Sequence, residues 1–275
     1  MCDICEKHSK NSVKWYLDAE NYNDDLVWKD KARYKVTIDV TGYNLEYYIF
    51  STTKKAKFVH KLPEPFKSIL IAIANRKAYN LHAGQVVPLE DALKIVDLAH
   101  NHIVIPCYCR RLLGGKEELS CLNFGVVRDL WPKYKPDDQV LELTRNETKK
   151  MLHEWDQKGY IHAVFWTKTP YVMAICNCEK KYCTAMKNRL LFNIRNSFKK
   201  SHYVARVNEE LCDGCGGKPK CMPRCQFNAI KYTAKKNVVT IDVEKCFGCG
   251  LCREACDRNA ITLVNREEIE IKTMW

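Results

Sequence analysis

The chain lacks a hydrophobic run long enough to cross a bilayer. Its most apolar stretch, around Ile69-Leu-Ile-Ala-Ile-Ala74, falls far short of the roughly 20 residues a membrane helix needs and reads instead as a buried helix. It also lacks a Gly-rich phosphate loop, a nucleotide-binding fingerprint and a nucleophile–base pair, so it names no second substrate. Acidic residues are the minority: 33 Asp and Glu stand against 45 Lys and Arg in 275 residues, a formal charge of +12. Residues 201–275 hold twelve basic and ten acidic residues, so most of the surplus lies before them. Lys187, Arg189, Arg195, Lys199 and Lys200 form its densest patch. No base-reading motif accompanies this charge, so nucleic acid is not the expected partner. An acidic protein partner fits better.

Cysteine, by contrast, is abundant, with 16 in the chain. In a secreted protein they would suggest a disulfide framework. The opening Met1-Cys-Asp-Ile-Cys-Glu-Lys-His carries no apolar signal-like stretch, and C-x-C and C-x2-C spacings speak for metal. The expectation is a cytoplasmic protein of an anaerobic, reducing cell.

The most specific stretch is Cys246-Phe-Gly-Cys249-Gly-Leu-Cys252-Arg-Glu-Ala-Cys256. Its C-x2-C-x2-C-x3-C spacing turns three sulfurs onto three corners of one [4Fe-4S] cube and sends the fourth to a second cluster. Upstream lie Cys212-Asp-Gly-Cys215, Cys221 and Cys225. Phe227-Asn-Ala-Ile-Lys-Tyr echoes Arg258-Asn-Ala-Ile-Thr-Leu, and Val238 to Cys246 repeats Val204 to Cys212. Each half therefore reads as strand, cluster loop, short helix and strand.

Over residues 202 to 265 the chain resembles the two-[4Fe-4S] dicluster ferredoxins. The resemblance implies that Cys212, Cys215, Cys221 and Cys256 hold one cluster, and Cys246, Cys249, Cys252 and Cys225 the other. Two departures stand out. Gly216-Gly-Lys-Pro-Lys220 replaces a two-residue step, which bears on the exposure, potential or iron count of the first cluster. Gln226 and Asp257 stand where proline follows the fourth cysteine in that family.

Before this module the pattern is mixed. Cys2-Asp-Ile-Cys5 with His8 is either half a metal site or a terminus with idle thiols, and Trp15-Tyr-Leu reads as a packing anchor. Tyr34 to Val59 alternates and predicts two strands, or one strand and a short helix. Pro63 and Pro65 open a helix to about Asn75. A second follows Pro88, with Leu89, Leu93, Val96 and Ala99 on one face, ending near Asn101. Ile103-Val-Ile-Pro is a buried strand delivering Cys107-Tyr-Cys109-Arg-Arg111, whose arginines favour thiolate. Cys121-Leu-Asn-Phe-Gly follows. Thr144-Arg-Asn-Glu147 is a capping box opening a helix closed by Gly159. Tyr160 to Trp166 and Tyr171 to Ile175 form a hairpin around Thr167-Lys-Thr-Pro170. Its second strand brings Cys176-Asn-Cys178 and Cys183 to a helix bearing Leu190, Leu191, Ile194 and Phe198. Both cysteine groups thus lie at strand ends, where they can converge.

The sequence of motifs from Ile-Pro-Cys107-Tyr-Cys109-Arg to Ile-Cys176-Asn-Cys178 resembles a group of anaerobe iron-sulfur proteins. In that group a cysteine-rich domain precedes a dicluster ferredoxin module, and electron transfer is the presumed role. The resemblance implies metal at Cys107, Cys109, Cys121, Cys176, Cys178 and Cys183. Four thiolates fill one cubane, so with Cys2 and Cys5 the N-terminal domain has room for one or two further centres. That makes three or four clusters in all, with zinc as another occupant. His162, His100 and His102 read as core residues or donors to cluster sulfur rather than ligands, and Asn177 and Tyr108 as spacers.

The expected fold is α+β. A mixed, cysteine-rich domain spans residues 1–200, and a small ferredoxin-like dicluster domain spans 201–275. The expected function is low-potential electron transfer to or from a redox partner such as an acidic ferredoxin, a flavodoxin or an oxidoreductase subunit. The alternative is an enzyme. The paired C-x-C motifs are faintly similar to the catalytic subunit of ferredoxin-thioredoxin reductases. In that reading a cluster in the N-terminal domain acts on a disulfide or a small molecule.

Overall fold

The computed structural model describes residues 3–9, 14–43, 45–80, 83–166 and 168–269. Five helices come first: α1 (Asp3–His8), α2 (Asp25–Trp28), α3 (Lys31–Ile38), α4 (Leu45–His60) and α5 (Phe66–Asn80). Then β1 (Ala83–Val86), α6 (Leu89–Leu98), β2 (Ile103–Pro106), α7 (Tyr108–Leu112), β3 (Leu119–Asn123) and α8 (Val126–Tyr134) follow. Next come β4 (Leu141–Glu142), α9 (Arg145–Gln157), β5 (Ile161–Trp166), β6 (Ala174–Cys178), α10 (Thr184–Phe192) and β7 (Phe198–Lys199). The C-terminal part holds β8 (Tyr203–Val207), α11 (Cys221–Arg224), β9 (Ile230–Thr233), β10 (Val238–Ile241), α12 (Leu251–Glu254) and β11 (Ile261–Asn265). The fold is α+β. Among the described residues no helix is long and apolar enough to cross a membrane.

Strands β1 to β7 form one sheet of order β4-β2-β3-β6-β5-β1-β7, antiparallel except where β1 meets β7. Alternation sorts its side chains. Val104, Leu122, Val164, Trp166 and Ile175 face a core with Ile95 and Val96 of α6 and Leu152 and Trp155 of α9. Trp15 joins this core and is fully buried, its Nε1 donating to Gln85 Oε1 at 2.7 Å. The opposite face carries Ile103, Ile105, Ala163 and Phe165, with Cys121, Cys176 and Cys178 in the same layer. Antiparallel register sets Cys121 beside Cys176, and Cys176 beside Ala163. The pleat therefore puts these three thiols on one face.

The capping box is present: Thr144 N donates to Glu147 Oε2 at 2.8 Å and Glu147 N to Thr144 Oγ1 at 3.3 Å. Gly159 closes that helix at φ 86°. The stretch from Tyr34 to Val59, expected as two strands or as one strand and a short helix, is instead occupied by α3, a π-helical segment Asp39–Tyr43 and α4, with no strand. The Asp30 carboxylate caps α3, accepting from Ala32 N at 2.9 Å and Arg33 N at 3.0 Å. Ile49 and Ala56, seven residues apart, share the buried side of α4. An N-cap and a helical period outweigh β-branched propensity here. The helix expected to carry Ile194 and Phe198 ends sooner, at Phe192, because Asn193 turns left-handed at φ 56°. Phe198 then joins β7. Of the predicted hairpin connection, Thr167 lies outside the described residues.

The C-terminal part repeats strand, loop, helix, strand twice, as the sequence indicates. Its strands pair crosswise, β8 with β11 and β9 with β10. Phe227, Phe247 and Leu251 of this part belong to the same core as the cysteine-bearing face of the large sheet.

Candidate metal centres

Four C-terminal cysteine sulfurs accept backbone N–H bonds in matching pairs. Ala229 N donates to Cys225 and Ala260 N to Cys256, both at 3.3 Å and both from four residues onward. Val239 N donates to Cys212 at 3.5 Å and Ala205 N to Cys246 at 3.4 Å, each from a strand. Bonds of this kind favour the thiolate over the thiol. Burial opposes it, pushing the Cys221 thiol up to about 11 and Cys252 up to about 12. Thiolates held in such surroundings need positive charge at the sulfur, which an iron-sulfur cluster supplies.

Arg266, fully buried, lies against this site. Its guanidinium donates to Ser201 O at 2.9 Å, Tyr203 O at 2.7 Å and Cys246 O at 2.8 Å. Burial lowers its pKa, and the Cys246 thiolate works in the opposite direction.

The two halves differ at their surfaces. Cys215 is exposed and left-handed at φ 50°, in the loop lengthened by Gly216 to Lys220. Lys220 ion-pairs with Asp257, which occupies one of the two proline-replacing positions. The other, Gln226, bridges to the large sheet's connections. Its Oε1 accepts from Lys180 N at 2.6 Å and its Nε2 donates to Gly159 O at 2.6 Å. Arg224 donates to Asp156 O at 2.7 Å and Gln157 O at 2.8 Å, satisfying carbonyls at the end of α9.

The middle cysteines converge. Cys107 follows β2 at the N-cap of α7, Cys109 lies in α7, Cys121 in β3, Cys176 and Cys178 in β6, and Cys183 caps α10 by accepting from Met186 N at 3.5 Å. Cys107, Cys121, Cys176, Cys178 and Cys183 lie close enough in succession for each thiol to shift the next one's pKa. The Cys107 and Cys176 donors push Cys121 well below the ordinary thiol range. Burial pushes Cys109 up to about 12. Among the described residues no three His, Cys, Asp or Glu side chains close around a single ion. Six thiolate-forming side chains on one face offer soft donors of the kind that iron-sulfur clusters take.

Sequence reasoning places other residues less well. Asn177 is no mere spacer: its Oδ1 lies 2.7 Å from His162 Nδ1 and its Nδ2 donates to Ser120 O at 2.9 Å. Tyr108 stacks edge-on to Trp131, and its hydroxyl bonds Asp138. His162 is buried, and its Nε2 lies 3.5 Å from Asp156. His100 meets Asp24 at 3.0 Å, away from the thiols, and His102 packs on Phe124. Cys5 lies apart from the six: its Sγ is 3.4 Å from His202 Nε2, in the core of the other sheet face. Cys2 is outside the described residues.

A cavity of about 490 Å³ opens over the six cysteines, roofed by α4 and α5. Nothing in the sequence announces it, because its walls come from segments that read as strands or as an ordinary core helix. Arg110 also lines it, held at Nη1 by Glu179 at 2.7 Å and Glu118 at 3.2 Å. The doublet Arg110-Arg111 beside C-x-C is the one available signal.

Comparison with known proteins bears on the C-terminal part. Polyferredoxin protein MvhB of Methanothermus fervidus is 38% identical over 61 residues, 20% of this chain and 15% of that protein. A component of the Na(+)-translocating ferredoxin:NAD(+) oxidoreductase complex of Acetobacterium woodii is 39% identical over 60 residues, 22% of this chain and 18% of its own. A tetrathionate reductase component of Archaeoglobus fulgidus is 39% identical over 51 residues, 18% of this chain and 24% of that one. The chain thus spans under a quarter of the length of these relatives. The family described as the 4Fe-4S binding domain matches residues 239–262, which include Cys246, Cys249, Cys252 and Cys256. With its doubled cysteine loops and sulfur-directed amides, the C-terminal part of this chain carries a ferredoxin-type 4Fe-4S domain.

Proposed function

We propose that the chain is an iron-sulfur electron-transfer protein with three [4Fe-4S] clusters. Cys212, Cys215, Cys221 and Cys256 hold the first, Cys246, Cys249, Cys252 and Cys225 the second, and four of the six middle cysteines the third. The clusters supply reversible one-electron chemistry at low potential. Residues 1–200 act as the domain that houses the third centre, and 201–275 as the dicluster domain.

The observation that carries this reading is the shared core. Cys225 and Cys249 pack against the same set of buried residues as Cys109, Cys121, Cys176, Cys178 and Cys183. Two of the second cluster's ligands thus share a core with the middle thiols, while Cys215 of the first is exposed. This arrangement supports a path from an outside redox protein, through the dicluster domain, to the middle centre, or the reverse. The basic surplus before residue 201 favours an acidic partner such as a ferredoxin, a flavodoxin or an oxidoreductase subunit, whose binding should then weaken steeply with added salt. The chain's cytoplasmic location belongs to the same reading.

The test is selective ligand loss. Cys225→Ser should abolish the EPR signal of one dicluster-domain site and leave the middle signal in place. Replacing Cys121, Cys176 and Cys178 together by Ser leaves three of the six middle thiols, too few to fill a cubane, and should remove only the middle signal. Unchanged spectra in both variants would overturn the assignment.

A further inference from the structure

We propose that Arg266, with Lys200, is the fixed counter-charge of the second cluster and raises that cluster's reduction potential. The inference rests on the proposed function only for the presence of a cluster at Cys246, Cys249, Cys252 and Cys225.

Arg266 follows β11 and is fully buried. Its side-chain bonds go to the carbonyls of Ser201, Tyr203 and Cys246, none of which carries a charge. Among the described residues no carboxylate pairs with it. A guanidinium keeps its proton, and a buried cation with no anion to answer it is strongly unfavourable. A thiolate-ligated cluster is such an anion, and Arg266 holds the carbonyl of one of its ligands at 2.8 Å. Lys200 is also buried. It precedes Ser201, whose O accepts from Arg266 and whose N donates to Phe247 O at 3.0 Å, so this segment lies along the second cluster loop. Burial, Arg266 and Arg189 pull the Lys200 pKa down to about 8, and the Cys246 thiolate works against them.

The internal repeat provides a comparison within the same chain. Asn228 and Asn259, left-handed at φ 53° and 52°, mark equivalent positions. Seven residues beyond Asn259 stands Arg266, and seven beyond Asn228 stands Lys235, which is exposed. Gly214 and Gly248 likewise approach equivalent carbonyls, those of Asn237 and Tyr203. At the first loop the donor is the neutral Asn237 amide, whose Nδ2 bonds Asp213 O at 2.6 Å. The buried charge is therefore particular to the second half.

Reduction brings one electron from the redox partner to the cluster; no bond forms or breaks, and Arg266 stays protonated. The reduced cluster is one charge more negative. A nearby cation held away from water stabilises it more than the oxidised form, so the potential rises.

The test is an anaerobic redox titration of iron-loaded full-length protein at pH 7, followed by EPR at the signal that Cys225→Ser abolishes. Arg266→Gln should lower that midpoint until the reduced-to-oxidised ratio at a fixed potential falls at least about tenfold, about 59 mV for one electron. Arg266→Lys, which keeps the charge and loses the guanidinium fork, should recover most of the shift. Lys235→Gln should leave the midpoint where it is. If Arg266→Gln binds no second cluster, Lys200→Met takes its place, with a smaller fall in the same direction. An unmoved midpoint in the charge-removing variant that loads iron overturns the proposal, as do equal shifts in Arg266→Gln and Arg266→Lys. A wild-type protein without that signal would sink the second cluster itself, whereas a signal present but indifferent to the charge sinks only the counter-charge.

Discussion

Phe227 and Phe247 stack face to face, centroids 4.0 Å apart and planes at 11°, whereas their counterparts in the repeat, Arg258 and Asp213, form an ion pair at 2.8 Å. One internal repeat thus uses the same two positions in opposite ways. The charged pair is exposed, and the aromatic pair is buried in the core that also receives the middle cysteines. The side of the C-terminal part that bears the second cluster loop is therefore the side that docks. Phe247 continues to Phe198 at 6.1 Å, and Phe198 to Phe165 in the cavity wall at 6.5 Å.

Replacing Phe247, 3% exposed, by alanine should cost about 3–5 kcal/mol. Anaerobic thermal unfolding of the iron-loaded protein measures it. Phe247→Leu should cost clearly less, because it keeps most of the volume and loses chiefly the ring contact. Equal, small effects from both would mean that the interface contributes little.

Gln226→Ala removes the bonds to Lys180 N and Gly159 O. At about 0.5–1.5 kcal/mol each, the loss should reach about 1–3 kcal/mol. It should appear as faster amide exchange around residues 159 and 180 while the iron content stays the same. Unaltered exchange there would show that the bridge is not what holds the two parts together.

Gly248 sits between Cys246 and Cys249 at φ 69°, and a Cβ on it would lie 2.0 Å from Tyr203 O. Backbone cannot yield there as a flexible side chain can. Gly248→Ala should therefore lose the second cluster, read as a fall in bound iron, while Gly216→Ala, at φ 65° with open space around it, should retain the first.

Oxygen should attack the first cluster before the others, since Cys215 is exposed and the ligands of the second are half-buried or buried. Brief exposure to air followed by EPR should show that signal decaying first. Simultaneous loss of all signals would contradict the asymmetry.

Much of this is legible in the sequence because cluster loops are short-range features. Their spacing, the repeat, the capping box at Thr144 and the strands bearing Cys107 and Cys176 all express local rules. What escapes is nonlocal. Alternation from Tyr34 to Val59 suggests strands, yet Asp30 caps a helix there and Ile49 and Ala56 share one buried side. With those segments read as strands, the cavity that α4 helps to roof stays hidden. Gln226 looks like a defect in a motif because its partners, Gly159 and Lys180, are remote in sequence.

The central claim is that the middle cysteines hold a third cluster adjoining the dicluster domain. Iron and acid-labile sulfide per chain on anaerobically purified protein test it most directly. The account predicts about twelve of each, since each cubane holds four irons and four sulfides. About eight, with only the dicluster-domain signals on reduction, would contradict it.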